Sequence, residues 1–578
     1  MLSSTQLRRY GPLALIVVLL VVVGALVVVG GGDDDPSASG NGDDGGAGNG
    51  GELADIDAGS DGAPEPTGRM PLTYAEAEAA GAVDDHDWGE RCDTGTGLVR
   101  IPTVYATPCV PVFEGDNGGA THDGVTGDRI TVVRYVADRS ADLAALITDS
   151  AEDSPESLAQ TFQDFVDIYA SRAELYGRRI EVVDFQGTGA GDDVVAARAD
   201  ATEIAIEHEP FLVIGGPGVD RGVFAQELSS RGITCFDCAG SLPDPMLEEM
   251  APHVWQAGPS GAQYINLTLA AWQSELGDGT AEYAGPDLRD LPRKVGIIHF
   301  DQDPPVYEVG ASNMPEGIDL VESYVLDLDT LAQKATEMVG KFKAEGITTV
   351  EFLGDPIMPM YLMSAATEQG WFPEWIVTGT VFTDTNFFGR QYDPQQMEHA
   401  FGISQLATPT TRDVQDPIRL YRWYFGADAE PAANGYALLQ FPVRFLVQGV
   451  HMAGPDLTPE TFARGQFRIP PAGGGPTTPQ ISFGNWGFFP DTDYQGIDDS
   501  TEIWWDPTVA APDETGVDGT GVWRHSHSGQ RFVNEDDVPA PDPFSAGDTL
   551  TVLDELPAED LPPDHPPPPG SPAERDAS

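Results

Sequence analysis

From residue 128 onward, short apolar runs with little internal alternation are separated by stretches of helical spacing. Residues 128–135 read as a strand, as do 180–185; 192–208 has helical periodicity, and 211–214 is a continuous apolar run closed by Gly215-Gly216. A second helical stretch leads to a strand at 232–236. The grammar then repeats, with strands at 294–300, 348–354 and 374–378 and helices between them. Continuous apolar strands joined by crossover helices imply parallel sheets covered on both faces. Two such units in one chain suggest a ligand held between two lobes.

The helix boundaries are marked by their own chemistry. Ser154-Pro155-Glu156 places Ser at an N-cap and Pro at the first helical position. Apolar residues follow at Leu158, Phe162, Phe165, Val166 and Tyr169, a core-facing stripe that Gly177 is expected to end. Thr458-Pro459-Glu460 repeats the start signal after a long helix predicted over 431–453. Further helices are expected at 74–80, 263–276 and 331–346, the last with Lys334, Lys341 and Lys343 on its solvated face. Residues 277–290 and 473–476 read as loops, and 504–507 and 521–524 as closing strands.

The ends of the chain differ from this body. Arg8-Arg9 precedes about twenty apolar residues, long enough to cross a bilayer with the short N-terminal side in the cytoplasm. No cysteine follows the run for lipid attachment, and no small-x-small site marks cleavage clearly. An uncleaved single anchor on the extracytoplasmic face of the cell membrane is therefore expected, with secretion after cleavage as the alternative. Residues 31–70 are rich in Gly and Asp and read as a disordered tether. Residues 534–578, with their proline run at 566–569, read as a disordered Pro/acidic tail unable to build a core. The chain of 578 residues has 93 Asp and Glu against 30 Lys and Arg, a formal charge of −63. That balance excludes nucleic acid as a partner, because little is available to neutralise phosphates.

Four cysteines stand at 92, 109, 235 and 238. In an oxidising compartment Cys92 and Cys109 are expected to staple the extension at 71–127, which has no periodicity able to bury a core. The Cys235-Phe-Asp-Cys238 spacing admits a structural disulfide, free thiols or a redox pair. A loop follows it rather than a helix, which favours the first.

The order of elements resembles a type 1 periplasmic-binding-protein fold of the branched-chain amino acid (leucine-binding-like) ABC transporter substrate-binding group. The resemblance rests on Phe211-Leu-Val-Ile-Gly-Gly-Pro-Gly218, Gly232-Ile-Thr-Cys235 and Pro252-His-Val-Trp-Gln-Ala-Gly-Pro-Ser260. It continues through Lys294-Val-Gly-Ile-Ile-His-Phe300, Asn434-Gly-Tyr-Ala437 and Leu457-Thr-Pro-Glu460. It implies two α/β lobes with doubly wound parallel sheets joined by three hinge strands, near Ser260, Ala407 and Ser482. The first lobe would combine 128–259 with 407–481, and the second 260–406 with 482–533. It further implies a small polar solute, an amino acid, amide or related compound, captured between the lobes and handed to the membrane permease of an ABC importer. Contacts would come from Gly218, Val219 and Asp220, and from Cys238, Ala239, Gly240 and Ser241, on the first lobe. Tyr307, Asp355, Thr378 and Thr380 would supply them on the second. Thr380 stands where amino-acid binders of the group usually carry an acid; Asp355 either replaces that acid or caps the helix that follows it.

Other chemistry is weaker. Gly216-Pro-Gly218 through Gly222 imitates a dinucleotide fingerprint, but a tight turn facing the cleft explains it as well. His525-Ser-His527 lacks an identified third ligand, and carboxylate pairs such as Asp498-Asp499 are too common in so acidic a chain to carry a signal. No hydrolase elbow or zinc-protease helix is present, so no enzyme, cofactor or metal is expected. The alternatives are a ligand-sensing ectodomain acting through a separate membrane partner, and an extracytoplasmic redox or nucleotide-dependent enzyme.

Overall fold

The structure, a computed structural model, describes residues 68–137, 153–218, 221–276, 279–302, 305–307, 316–489, 492–514, 516–533, 539, 543–545 and 547–577. The apolar run and residues 31–67 of the expected tether lie outside the described residues; its last three residues are described, and Arg69 among them is paired with Asp456 rather than free. Among the described residues no helix is long and apolar enough to cross a membrane.

After a short antiparallel ribbon of β1 (Cys92–Asp93) and β2 (Leu98–Val99), two sheets carry the molecule. The first contains β3 (Arg129–Val136), β4 (Arg179–Gln186), β5 (Leu212–Ile214), β6 (Thr234–Phe236) and β7 (Val254–Trp255), all parallel, in the order β4-β3-β5-β6-β7. The second contains β8 (Val295–Phe300), β9 (Ile318–Tyr324), β10 (Thr349–Leu353), β11 (Glu374–Val377) and β12 (Ala400–Ser404), in the order β9-β8-β10-β11-β12. The same second-first-third-fourth-fifth order in both is the doubly wound arrangement. Antiparallel β13 (Ser500–Pro512) and β14 (Asp518–His525) extend the second sheet beyond β12, and β15 (Arg531–Phe532) pairs with β13. This is the two-lobed α/β architecture that the sequence resemblance implies.

Alternation along β3 shows why both faces are covered. Ile130 and Val132 pack with Phe162, Phe165, Phe445 and Phe462, whereas Val133 and Tyr135 pack with Ala201, Phe224 and Leu228. The first set brings helices Tyr436–Ala453 and Pro459–Gln466 onto the sheet of residues 129–255, so one core joins segments far apart in sequence. In the second sheet, Val350 and Phe352 meet Met338, Phe342 and Leu362 on one face, while Ile297 and Leu353 meet Ile265 on the other.

The chain passes from one sheet to the other at three places. The first, 256–260, follows β7, and the second, 405–409, follows β12. The third lies between Ile497 and Ser500 rather than near Ser482. Phe483 and Tyr494 still pack on Trp255 of the first lobe, and Gln495 pairs with Gln256.

Ahead of the sheets, Cys92 and Cys109 are bonded at 2.00 Å, next to the helix Tyr74–Ala80 with its Thr73/Glu76 capping box. This extension sits on the first lobe through Arg69–Asp456 at 2.6 Å, Arg91–Glu174 and the Tyr105 hydroxyl donating to the Pro479 carbonyl at 2.8 Å.

Several expectations need correction. The helix beginning at Pro155 ends at Ala170 rather than Gly177, and the one expected from 431 starts at Tyr436. Strands β9 and β12 and the helix Asp416–Phe425 were not legible. The C-terminal segment is not a disordered tail over 547–577. Asp560 is buried and accepts from the Thr477 N–H and hydroxyl, each at 2.7 Å, and from the Thr478 hydroxyl. The indole of Trp423 donates to the His565 carbonyl at 2.8 Å. The segment builds no core of its own; residues 561–568, in neither helix nor strand, lie instead on a core already built.

The base of the second sheet depends on one buried ion pair. Arg293 donates to both Glu374 oxygens at 2.9 and 3.0 Å, and Thr349 and the Tyr283 N–H complete the carboxylate's partners. Both side chains are essentially inaccessible. Arg293→Met, which strands the carboxylate, should cost about 3–5 kcal/mol in urea unfolding; a loss under about 1 kcal/mol would show that the pair is not structural.

Candidate functional site

In doubly wound sheets the crevice lies beyond the carboxyl ends of the strands, where the connections reverse direction. In the first lobe this edge carries the turn after β5 and the turn after β6. Gly216 lies against the backbone of the second turn: a Cβ there would come within 2.0 Å of the Cys238 carbonyl oxygen. The Gly240 N–H donates to the Gly218 carbonyl at 2.6 Å, so two of the sequence-predicted loops touch. Gly218 has φ 105°, a conformation that favours glycine. Val219 and Asp220 lie outside the described residues. Ala239 is half-buried, while Gly240 and Ser241 are exposed.

Cys238 differs from its expected role. Its side chain is buried in the first-lobe core and bonded to Cys235, so it offers no group to a solute. The loop is instead tied to the hinge. The Gln256 amide donates to the Gly240 carbonyl at 2.8 Å, and Asp237 accepts from the Ala257 N–H at 2.8 Å. Burial lifts the Asp237 carboxyl to about 6, although that N–H works against the rise.

On the second lobe the predicted residues do converge. The Thr380 hydroxyl takes the Gly354 N–H and donates to the Gly354 carbonyl, both at 3.0 Å, and lies 3.1 Å from the Thr378 hydroxyl. Tyr307 bonds to Thr380 and is pushed above its ordinary pKa, first by burial and then by nearby Asp355. Asp355 accepts from the Ile357 and Met358 N–H groups at 2.8 and 3.1 Å through one oxygen, and from the Tyr324 hydroxyl through the other. It therefore opens the helix Met358–Glu368 in the manner of a cap. All four side chains are buried. They form a satisfied scaffold beneath the strand ends, and the adjoining turn presents Val381, 42% exposed, with φ 46°. Positive φ at a β-branched residue is a strained conformation that the surrounding packing must hold.

Sequence reasoning missed a set of buried acids along the hinge. Asp498-Asp499, one carboxylate pair among many in the sequence, is inaccessible. Asp499 pairs with Arg531 at 2.9 Å, and Arg531 also donates to the Leu406 and Gln405 carbonyls at 2.8 and 3.0 Å. Asp498 accepts from Ser482 at 2.8 Å and Gln480 at 3.3 Å through one oxygen, leaving the other unpartnered. Burial, then the neighbouring Asp493, pushes Asp498 up to about 9. Burial also raises Asp493 and Asp384 to about 7 each. The available signal was position: the pair sits between Ile497 and the apolar strand 503–505, where a solvated turn would be out of place. His527 meets Glu502 at 3.2 Å, and His525 is buried and held down to about 3. Among the described residues no group of three or more His, Cys, Asp or Glu is arranged to hold a metal ion.

No family model matches the chain, and no curated protein does. Solved structures are similar to it. A fatty acid ABC transporter substrate-binding protein from Thermomonospora curvata is 16% identical, with TM-score 0.47, covering 72% of this chain and 97% of that one. An ABC transporter substrate-binding protein from Aeropyrum pernix is 14% identical, with TM-score 0.45, covering 68% and 95%. The branched-chain amino acid transporter substrate-binding protein of Streptococcus pneumoniae, in complex with isoleucine, is 13% identical, with TM-score 0.41, covering 69% and 100%.

Buried acids set the pH response, those of the hinge together with Glu351 of β10, which burial lifts to about 8. A carboxyl whose folded pKa is raised binds its proton more tightly in the native state, so its contribution is complete below the unfolded value and lost as pH rises through the folded one. Asp498 should therefore make stability fall from about pH 4 to about pH 9, by on the order of 1 kcal/mol per pH unit. Asp498→Asn should flatten that decline in melting curves recorded across the range; an unchanged slope would remove Asp498 from the account.

Proposed function

We propose that the protein is an extracytoplasmic solute-binding protein that captures a small polar solute between its lobes for the membrane permease of an ABC importer. The observation that carries the reading is the shared edge geometry. Two sheets of one topology each turn their carboxyl ends into backbone-rich loops, and three chain crossings connect them. Such an arrangement can close by rotation about the crossings, without repacking either core. The two disulfides fit an oxidising compartment, and an N-terminal anchor at residues 1–30 would hold the chain at the membrane face.

The solute would contact the Gly218 and Ala239–Ser241 loops on one side. On the other it would meet the turn carried by Tyr307, Thr378 and Thr380. Asp355 already has backbone and tyrosine donors on both oxygens. Recognition of the solute would therefore use backbone N–H and hydroxyl groups rather than an ammonium clamp at Asp355.

The test is a melting-temperature screen of the exported protein against amino acids, amides, urea and short carboxylates. A ligand bound only by the native state adds about 2.7 kcal/mol at a hundredfold excess over its dissociation constant, a shift of roughly 2–4 °C per kcal/mol for a domain of this size class. Ser241→Trp, at an exposed position, should abolish the shift and leave the ligand-free melting temperature unchanged. A full shift in that variant would move the site away from the cleft. Asp355→Asn should keep the relative affinities of amines and neutral solutes; selective loss of amines would restore it as their clamp.

A further inference from the structure

We propose that residues 547–577 are a strap that forms a fourth crossing between the lobes and limits how far the hinge opens. The segment begins on the second lobe. Leu550 exchanges both backbone hydrogen bonds with His525 at the end of β14, at 2.8 and 2.9 Å. Three residues later it is on the first lobe's side of the hinge. The Leu553 N–H donates to the Pro409 carbonyl at 2.9 Å, and its carbonyl accepts from the Thr411 N–H at 2.8 Å. Fully extended, that span reaches about 11 Å, so the two anchor points cannot separate further while both sets of bonds hold.

Beyond Leu553 the strap is fastened to the first lobe. Asp560 is held by Thr477 and Thr478, the Trp423 indole donates to the His565 carbonyl, and Arg172 donates to the Pro566 carbonyl at 3.3 Å. The helix Pro572–Ala577 then lies along the helix Asp416–Phe425. The crossing runs beside the second hinge passage. A Cβ on Gly529 would come within 2.8 Å of the Thr408 hydroxyl, 2.9 Å of Pro476 and 3.3 Å of Leu550, so both passages and the first lobe's 473–476 loop meet at that point. Firm fastening on one lobe, a short span and two backbone bonds on the other make a restraint rather than a cover. The proposal rests on the two-lobed hinge and not on which solute is bound, so it is tested without ligand.

The experiment inserts nine Gly/Ser residues between Thr551 and Val552, which gives the span about 16 Å of slack and leaves both anchors intact. Glu203→Cys and Glu337→Cys, exposed positions on the two lobes, carry a dye pair; the four native cysteines are already bonded and do not compete. Single-molecule energy transfer on the ligand-free protein should show the distance distribution shifting to longer values and broadening, with an unchanged melting temperature. Asp560→Asn, which loosens the far fastening, should give a smaller shift in the same direction. A distribution identical to that of the unmodified protein, with the tail still protected from protease, would overturn the proposal and leave the segment as passive packing. Failure of every solute in the melting screen would not bear on this result.

Discussion

The guanidinium of Arg531 is the point on which the two-lobed arrangement turns. It is almost inaccessible, it neutralises the equally buried Asp499 of the third passage, and its other N–H groups fill the carbonyls of Gln405 and Leu406 in the second. Hinge strands leave their sheets and so lose ladder partners, yet a buried carbonyl without a donor costs on the order of 1–3 kcal/mol. One planar, permanently charged group with five donors resolves that conflict for two strands together. Gln405 extends the joint, donating to the Thr378 carbonyl at 3.2 Å and the Ser500 hydroxyl at 3.1 Å. The hinge is thus joined directly to the turn that carries Thr378 and Thr380.

The same region shows how so acidic a chain distributes its carboxylates. Among the described residues most are exposed, but a minority is buried. Asp384, Asp493 and Asp498 share burial and an oxygen without a hydrogen-bond partner, and all are raised by desolvation. Burial opposes their ionisation, and each still accepts from a neighbouring donor: Ser404 to Asp384, Gln263 to Asp493 and Ser482 to Asp498. Repulsion returns if they ionise, which makes the inter-lobe joint responsive to alkaline pH.

Around this joint the extension and the C-terminal segment act as additions to a scaffold that already closes. The extension is pinned by its disulfide and by ion pairs reaching Asp456 and Glu174, partners several hundred or several dozen residues away. The C-terminal segment has no core of its own and takes its order from carbonyls, an indole and a threonine pair that the first lobe presents. Both cases show low-complexity or irregular sequence becoming ordered because another surface supplies the hydrogen-bond partners.

The sequence by itself determined the strands and helices whose period and caps are local: β3, β4, β5, β8, β10 and the capped helices at Pro155 and Pro459. It also determined the doubled α/β grammar and the Cys92–Cys109 staple, because buried parallel strands and short stapled loops leave compositional marks. It could not mark β12, a short strand in which Gly402 is needed because a Cβ would lie 1.9 Å from the Val377 carbonyl. That requirement exists only once β11 is beside it. Nor could it distinguish Asp498-Asp499 from dozens of solvated acids, or a docked proline run from a free one. Burial is a property of the neighbours, and those neighbours, Arg531, Ser482, Thr477 and Trp423, are brought together only by tertiary folding. The candidate site divides in the same way. Its loops were legible from glycines at strand ends, whereas the decision that Cys238, Asp355 and Thr380 face inward belonged to packing alone.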